Sequence, residues 1–164
     1  MGVLDWLDPT RTWPAVAGPA PALNRLLFQF DALHFGAPID AARVIGRPDS
    51  VNWKNRFRKD CELFYASKGL RLRFREGKLC EVTFLIAPSG DEPAPFTLAQ
   101  PTAPDGTRLD PHIDRDQIVA LFGPADPGGS DEETLQIFHK NGVASDFDFN
   151  PTGHLVRWSL YPDD

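Results

Sequence analysis

Leu63-Phe-Tyr-Ala-Ser-Lys-Gly69 runs into Leu70-Arg-Leu-Arg-Phe-Arg75, turns at Glu76-Gly77 and continues as Lys78-Leu-Cys-Glu-Val-Thr-Phe84. Apolar and polar residues alternate through most of this stretch, the period of two expected of a half-buried strand. Gly69 and Gly77 fall where hairpins turn. The stretch therefore reads as a three-stranded antiparallel meander. Leu70, Leu72 and Phe74 share one face, with Cys61, Leu63 and Tyr65 before them and Cys80, Val82, Phe84 and Ile86 after. In this register Cys61, Phe74 and Cys80 form one row across the strands. The cysteines are then two strand spacings apart, about 9–10 Å, beyond the reach of a disulfide. Both read as small core hydrophobes.

The pattern recurs. Leu135-Gln-Ile-Phe-His-Lys-Asn-Gly142 matches the first strand, Val143 to Phe149 alternates like the second, and Gly153-His-Leu-Val-Arg-Trp-Ser-Leu160 matches the third. Here Leu135, Ile137, Val143, Phe147, Phe149, Val156, Trp158 and Leu160 are the expected core. Each meander follows a segment that reads as a short helix. Residues 39–49 enter at Ile39-Asp40 and end at Gly46-Arg47-Pro48-Asp49. Residues 113–126 enter at Ile113-Asp114 and end at Gly123-Pro124-Ala125-Asp126. Gly closes a helix because it accepts φ > 0, and Pro prevents continuation. The expected fold class is α+β: two tandem helix-plus-antiparallel-meander units, with the helices packed on one face of a shared sheet. The expected organisation is a Pro/Ala-rich arm over 1–22, a first repeat over 23–98 and a second over 99–164. Val3, Leu4, Trp6 and Leu7 would dock as one amphipathic turn. Phe96-Thr97-Leu98 would form an edge strand, and 105–109 another short one.

The 164 residues carry 17 Lys and Arg against 23 Asp and Glu, a net charge of −6. No apolar run approaches the ~20 residues of a membrane-spanning helix. Asp5, Asp8 and Pro9 break any secretory leader, and Trp6 stands where a myristoylation signal wants Ser or Thr. Two cysteines make no disulfide framework. A cytoplasmic protein is expected, without cofactor or metal.

Charge is unevenly distributed. Residues 43–78 hold 11 Lys and Arg against 4 Asp and Glu, and the rest holds 6 against 19. Arg71, Arg73 and Arg75 alternate on one expected strand. Asp146, Asp148 and Asn150 occupy its counterpart. Three readings compete: pairing within the molecule, a face for a charged protein partner, and a nucleic-acid surface in which Trp53, Phe57 and Phe64 interleave with Lys54, Arg56, Arg58 and Lys59. The acidic total argues against nucleic acid. Trp53 among Arg residues, on an expected loop between helix and first strand, has the composition of an interface hot spot. The expected partner-binding residues are Trp53, Arg56, Phe57, Arg58, Arg71, Arg73, Arg75, Asp146 and Asp148.

No catalytic residue is assigned. Asp146-x-Asp148-x-Asn150 opens like a calcium loop, but Pro151 and Arg157 stand where Gly and Glu are needed. His139 and His154 would flank adjacent strands, and with Asp146 or Asp148 they are the one candidate catalytic cluster. Core placement argues against Cys61 or Cys80 as a nucleophile. Ser130 or Asp131 reads as the N-cap of a helical turn.

The segments Gly46-Arg47-Pro48-Asp49 and Gly123-Pro124-Ala125-Asp126, with the strand pattern behind each, resemble the β-lactamase-inhibitor-protein fold. Outer-membrane assembly lipoproteins of small-protein-A type, and some bacterial toxin-immunity proteins, are similar. The resemblance spans about residues 36–164. It implies a protein that presents a sheet face or loops to a partner protein. The expected function is thus a non-enzymatic protein-binding module, an inhibitor or immunity protein that neutralises a toxin. The alternatives are a ligand-binding protein or enzyme using a cleft between repeats, and a self-associating structural or secretion-accessory protein. Oligomeric state is left open.

Overall fold

A computed structural model describes residues 8–17, 33–87, 101–103 and 105–163. Seven strands follow one another: β1 (Ser50–Asn55), β2 (Asp60–Tyr65), β3 (Leu70–Arg75), β4 (Lys78–Leu85), β5 (Thr134–His139), β6 (Val143–Phe149) and β7 (Leu155–Pro162). They form a single antiparallel sheet in the order β1-β2-β3-β4-β7-β6-β5. The central seam joins β4 to β7, with Val82 opposite Leu160 and Leu85 opposite Arg157. Among the described residues there is one α-helix, α1 (Arg115–Phe122), and no helix long and apolar enough to cross a membrane.

This corrects the expected α+β class of two helix-plus-meander units. Ile39–Val44 is a 3-10 turn, not an α-helix. Only six residues separate Pro38 from Ile45, and Pro38 offers no capping side chain. A segment that short cannot recover the cost of helix nucleation. By contrast, α1 starts at a full capping box: Asp114 accepts from the Gln117 N–H at 2.9 Å, and the Gln117 side chain accepts from the Asp114 N–H at 2.9 Å. Among the described residues one eight-residue helix and three 3-10 turns accompany a seven-stranded sheet, so this part of the chain is built mainly of sheet. The first half also has four strands, because Ser50–Asn55, expected as a loop, forms β1.

One face of the sheet holds the core. Leu63, Leu72, Phe74, Phe84, Ile137, Phe147, Trp158 and Leu160 are all buried, under Trp13, Leu33, Ile45 and Ile118. Trp158 lies at its centre. It stacks on Phe84 (centroids 5.1 Å apart) and Phe147 (5.7 Å), and Phe122 of α1 tilts onto it at 5.5 Å. Its indole N–H donates to Ser145 Oγ at 3.1 Å. The arm reaches this body through residues 8–17: Trp13 is buried, and Pro14 accepts from the Arg47 N–H.

The expected cysteine row does not form. A bulge between Arg73 and Phe74 sets Phe74 opposite Leu79, so Cys80 is the extra residue. Cys80 is half-buried, with Sγ 3.4 Å from the Arg73 carbonyl, while Cys61 is a core residue. The expected strand at 105–109 is reduced to a bridge between Thr102 and Arg108. The expected turn at Val3–Leu7 and strand at Phe96–Leu98 lie outside the described residues.

Candidate protein-docking site

β1 alternates as a strand should. Ser50, Asn52 and Lys54 are exposed, while Val51 and Trp53 lie half-buried on the core side, opposite Leu63 and Cys61. The Trp53 indole N–H is buried without an acceptor. Asn55 then faces Asp60 across the turn Arg56-Phe57-Arg58-Lys59. Asn55 Oδ1 accepts from the Arg58 N–H at 3.1 Å and shapes the turn. Lys59 takes φ of 58°.

The neighbouring hairpin props this turn up. Glu76 and Gly77 both have positive φ (52° and 73°), as a two-residue hairpin loop requires. Glu76 donates its N–H to Asp60 Oδ1 at 2.6 Å, and Gly77 donates to the Lys59 carbonyl at 3.2 Å. A Cβ on Gly77 would stand 3.3 Å from Lys59 Cδ, so the two hairpins meet closely. The result is a fixed tip carrying Phe57 at 91% exposure. Arg56, Arg58, Lys59 and Arg75 surround it and make no ion pair among the described residues. Lys54 reaches Glu62 at 3.7 Å. Beneath the tip is a shallow hollow of about 120 Å³ between Lys54, Asp60, Glu62, Arg73 and Arg75.

The stripes on β3 and β6 do not face each other. With β4 and β7 between them they lie three strand spacings apart, about 14 Å. Most of each is engaged locally. Glu81 takes Arg71 Nη2 at 3.1 Å and Arg73 Nη1 at 3.2 Å. Asp148 accepts from Arg157 Nε at 2.7 Å and from Thr134 Oγ1 at 3.0 Å. Asp146 accepts from Tyr161 OH at 2.7 Å and Gln136 Nε2 at 3.2 Å. Burial holds the Asp146 carboxyl above the usual carboxylate range despite those donors. Of the nine expected partner-binding residues, the fold gathers Trp53, Arg56, Phe57, Arg58, Arg73 and Arg75 at one corner of the sheet. It holds Arg71, Asp146 and Asp148 within its own polar network.

The expected histidine cluster is split. His139 ends β5 and bonds Ser145 Oγ at 2.7 Å on the core face, where alternation turns Asp146 to the other side. Burial lowers its pKa. His154 precedes β7 at the opposite end of the sheet and stacks edge-on to His112, centroids 5.8 Å apart. Burial pushes the Cys61 thiol up to about 12, which leaves it protonated and unreactive. Asp131 caps no helix: its Oδ1 accepts from the Glu133 and Thr134 N–H groups in a turn that leads directly into β5. Those bonds hold its carboxyl below the usual range. Among the described residues no group of three or more His, Cys, Asp or Glu could hold a metal ion.

Sequence reasoning missed that Trp53 belongs to a strand. The signal was present in Ser50-Val-Asn-Trp-Lys54, whose alternation was outweighed by its polarity. Compared with protein-family models, curated proteins and solved structures, the chain matches none.

Proposed function

We propose that this chain is a non-enzymatic protein-binding module that docks a partner with an acidic surface at the β1–β2 tip. The observation that carries the reading is Phe57, 91% exposed on a braced turn and flanked by guanidinium and ammonium groups without carboxylate partners. An aromatic held out into water on a fixed turn costs solvation and returns nothing inside the molecule. In an interface it supplies contact area with little entropy to lose, and the surrounding cations supply orientation and on-rate. Asp60, Glu62, Glu76 and Glu81 are interspersed at the same corner. They would repel the closely and evenly spaced charges of a phosphate backbone, whereas the carboxylates of a protein surface can be placed singly against the cations between them, which favours a protein partner over nucleic acid. An inhibitor or immunity protein that neutralises a bacterial toxin is the specific form of this proposal.

The test is capture of partners from lysate at low and high salt, followed by binding of the identified protein in purified form. Phe57→Ala and Arg56→Glu/Arg58→Glu should each weaken that binding about tenfold or more while circular dichroism stays native. Binding unaffected by both variants would remove the tip from the function. Retention of nucleic acid, lost with Arg56→Glu/Arg58→Glu, would replace the protein partner with a phosphate one.

A further inference from the structure

The two edges of the sheet are not alike. In β5 the backbone groups of Thr134 and Gln136 point outward, and each is met. The Thr134 carbonyl accepts from the Asp131 N–H at 2.9 Å and from Arg115 Nη2 at 3.2 Å. The Gln136 N–H donates to Ser130 Oγ at 3.0 Å, and its carbonyl accepts from the Asp126 N–H at 2.8 Å. The chain between α1 and β5 thus runs along this edge and covers it at Thr134 and Gln136.

β1 is the opposite edge. Seven antiparallel strands make the first and last run in the same direction. For L-residues in strands of one direction, the face a side chain takes fixes the side to which its N–H and C=O point. In β5 the core-facing Leu135 and Ile137 send their bonds inward to β6. The core-facing Val51 and Trp53 of β1 therefore send theirs away from β2. No hydrogen bond among the described residues reaches the backbone of either from outside. Among the described residues, two N–H and two C=O groups thus have no partner, in a row beside the exposed basic tip. The bulge between Trp53 and Asn55 ends the flat stretch at Trp53.

We propose that β1 is a strand-docking edge, and that its occupant is an extended acidic segment of the partner protein. This rests on the docking reading above and specifies how the partner is held. Main-chain bonds to Val51 and Trp53 would give affinity, and alternate side chains would give specificity. The occupant's apolar residues would lie along Val51 and Trp53. Its Asp or Glu residues would meet Lys54 and, past the bulge, Arg56, Arg58 and Lys59. Charge also argues against a second copy of this chain. A lysine beside a bulge is a common guard against edge-to-edge pairing of like sheets, yet it attracts an acidic strand.

The experiment selects short random peptides from a display library on the full chain, then measures binding of the synthesised winners. Enriched peptides should alternate apolar residues with Asp or Glu. Val51→Pro should weaken them about tenfold, because it removes an outward N–H that the fold itself does not use. In parallel, the Val51 and Trp53 amides should exchange rapidly in the free protein and slowly with peptide bound. That readout stands even where the proline variant fails to fold. Peptides that leave amide exchange unchanged, yet lose affinity for Phe57→Ala, would overturn strand docking and keep the tip reading. Enriched peptides poor in Asp and Glu would overturn the acidic occupant. Protection of Val51 in the concentrated protein alone, with a dimer in sedimentation, would make the occupant a second copy. A library that enriches nothing would overturn both readings.

Discussion

His139 shows how a single side chain can carry an environmental dependence without any catalytic role. Burial lowers its pKa below the ordinary 6.5. As pH falls past 6.5 the unfolded chain therefore takes up the proton before the folded one does, and stability declines from there down through the folded-state value. Asp146 works the other way at lower pH: its raised pKa means that protonation relieves a buried carboxylate. Denaturant titrations from neutral pH downward should show the first loss, and His139→Gln should flatten it. An unchanged slope in that variant would place the titration elsewhere. Residue identities told much of the core in advance. Leu72, Phe147 and Trp158 sit where alternation placed them. Cys80 does not, because a bulge leaves no mark in period-two patterning until the partner strand is known.

Elements were legible where local and tertiary signals agreed. β2, β3 and β6 carry both alternation and turn residues. The segments at 39–46 and 113–123 look alike in composition but differ at their starts: Pro38 has nothing to give an N–H, whereas Asp114 and Gln117 cap reciprocally. Asp114→Ala should cost about 1 kcal/mol of stability, read as a lower urea midpoint with an unchanged slope. A loss well below that would mean that packing of Ile118 and Phe122 alone holds the helix. β1 was illegible as a strand because its exposed half is polar and its last residues run into a cationic turn. A half-buried edge strand alternates weakly. The basic corner was visible as composition, while its bracing by the Glu76-Gly77 turn is a tertiary fact that the chain order conceals.

At the scale of the molecule, part of the charge asymmetry of the sequence resolves into short-range pairing across the sheet, and the cations of the β1–β2 tip stand outside those pairs. Glu81 and Arg157, both on central strands, do the pairing. The seam that joins the halves is largely apolar, with one polar crossing where Thr83 and Ser159 hydroxyls meet at 3.2 Å, buried. All other strand pairings link neighbours in sequence through short hairpins, so the seam is the one pairing of high sequence separation. During synthesis β1–β4 are complete while β7 is still to come, and β4 then offers its bare edge to any other chain. Residues 86–133 are tether enough for β5–β7 of one molecule to close onto β4 of another. Refolding at high concentration should therefore trap an exchanged dimer that re-forms the same seam and separates only on unfolding. Refolding at low concentration should give monomer alone. The connection that lets one chain complete its own sheet is also what lets two chains trade halves.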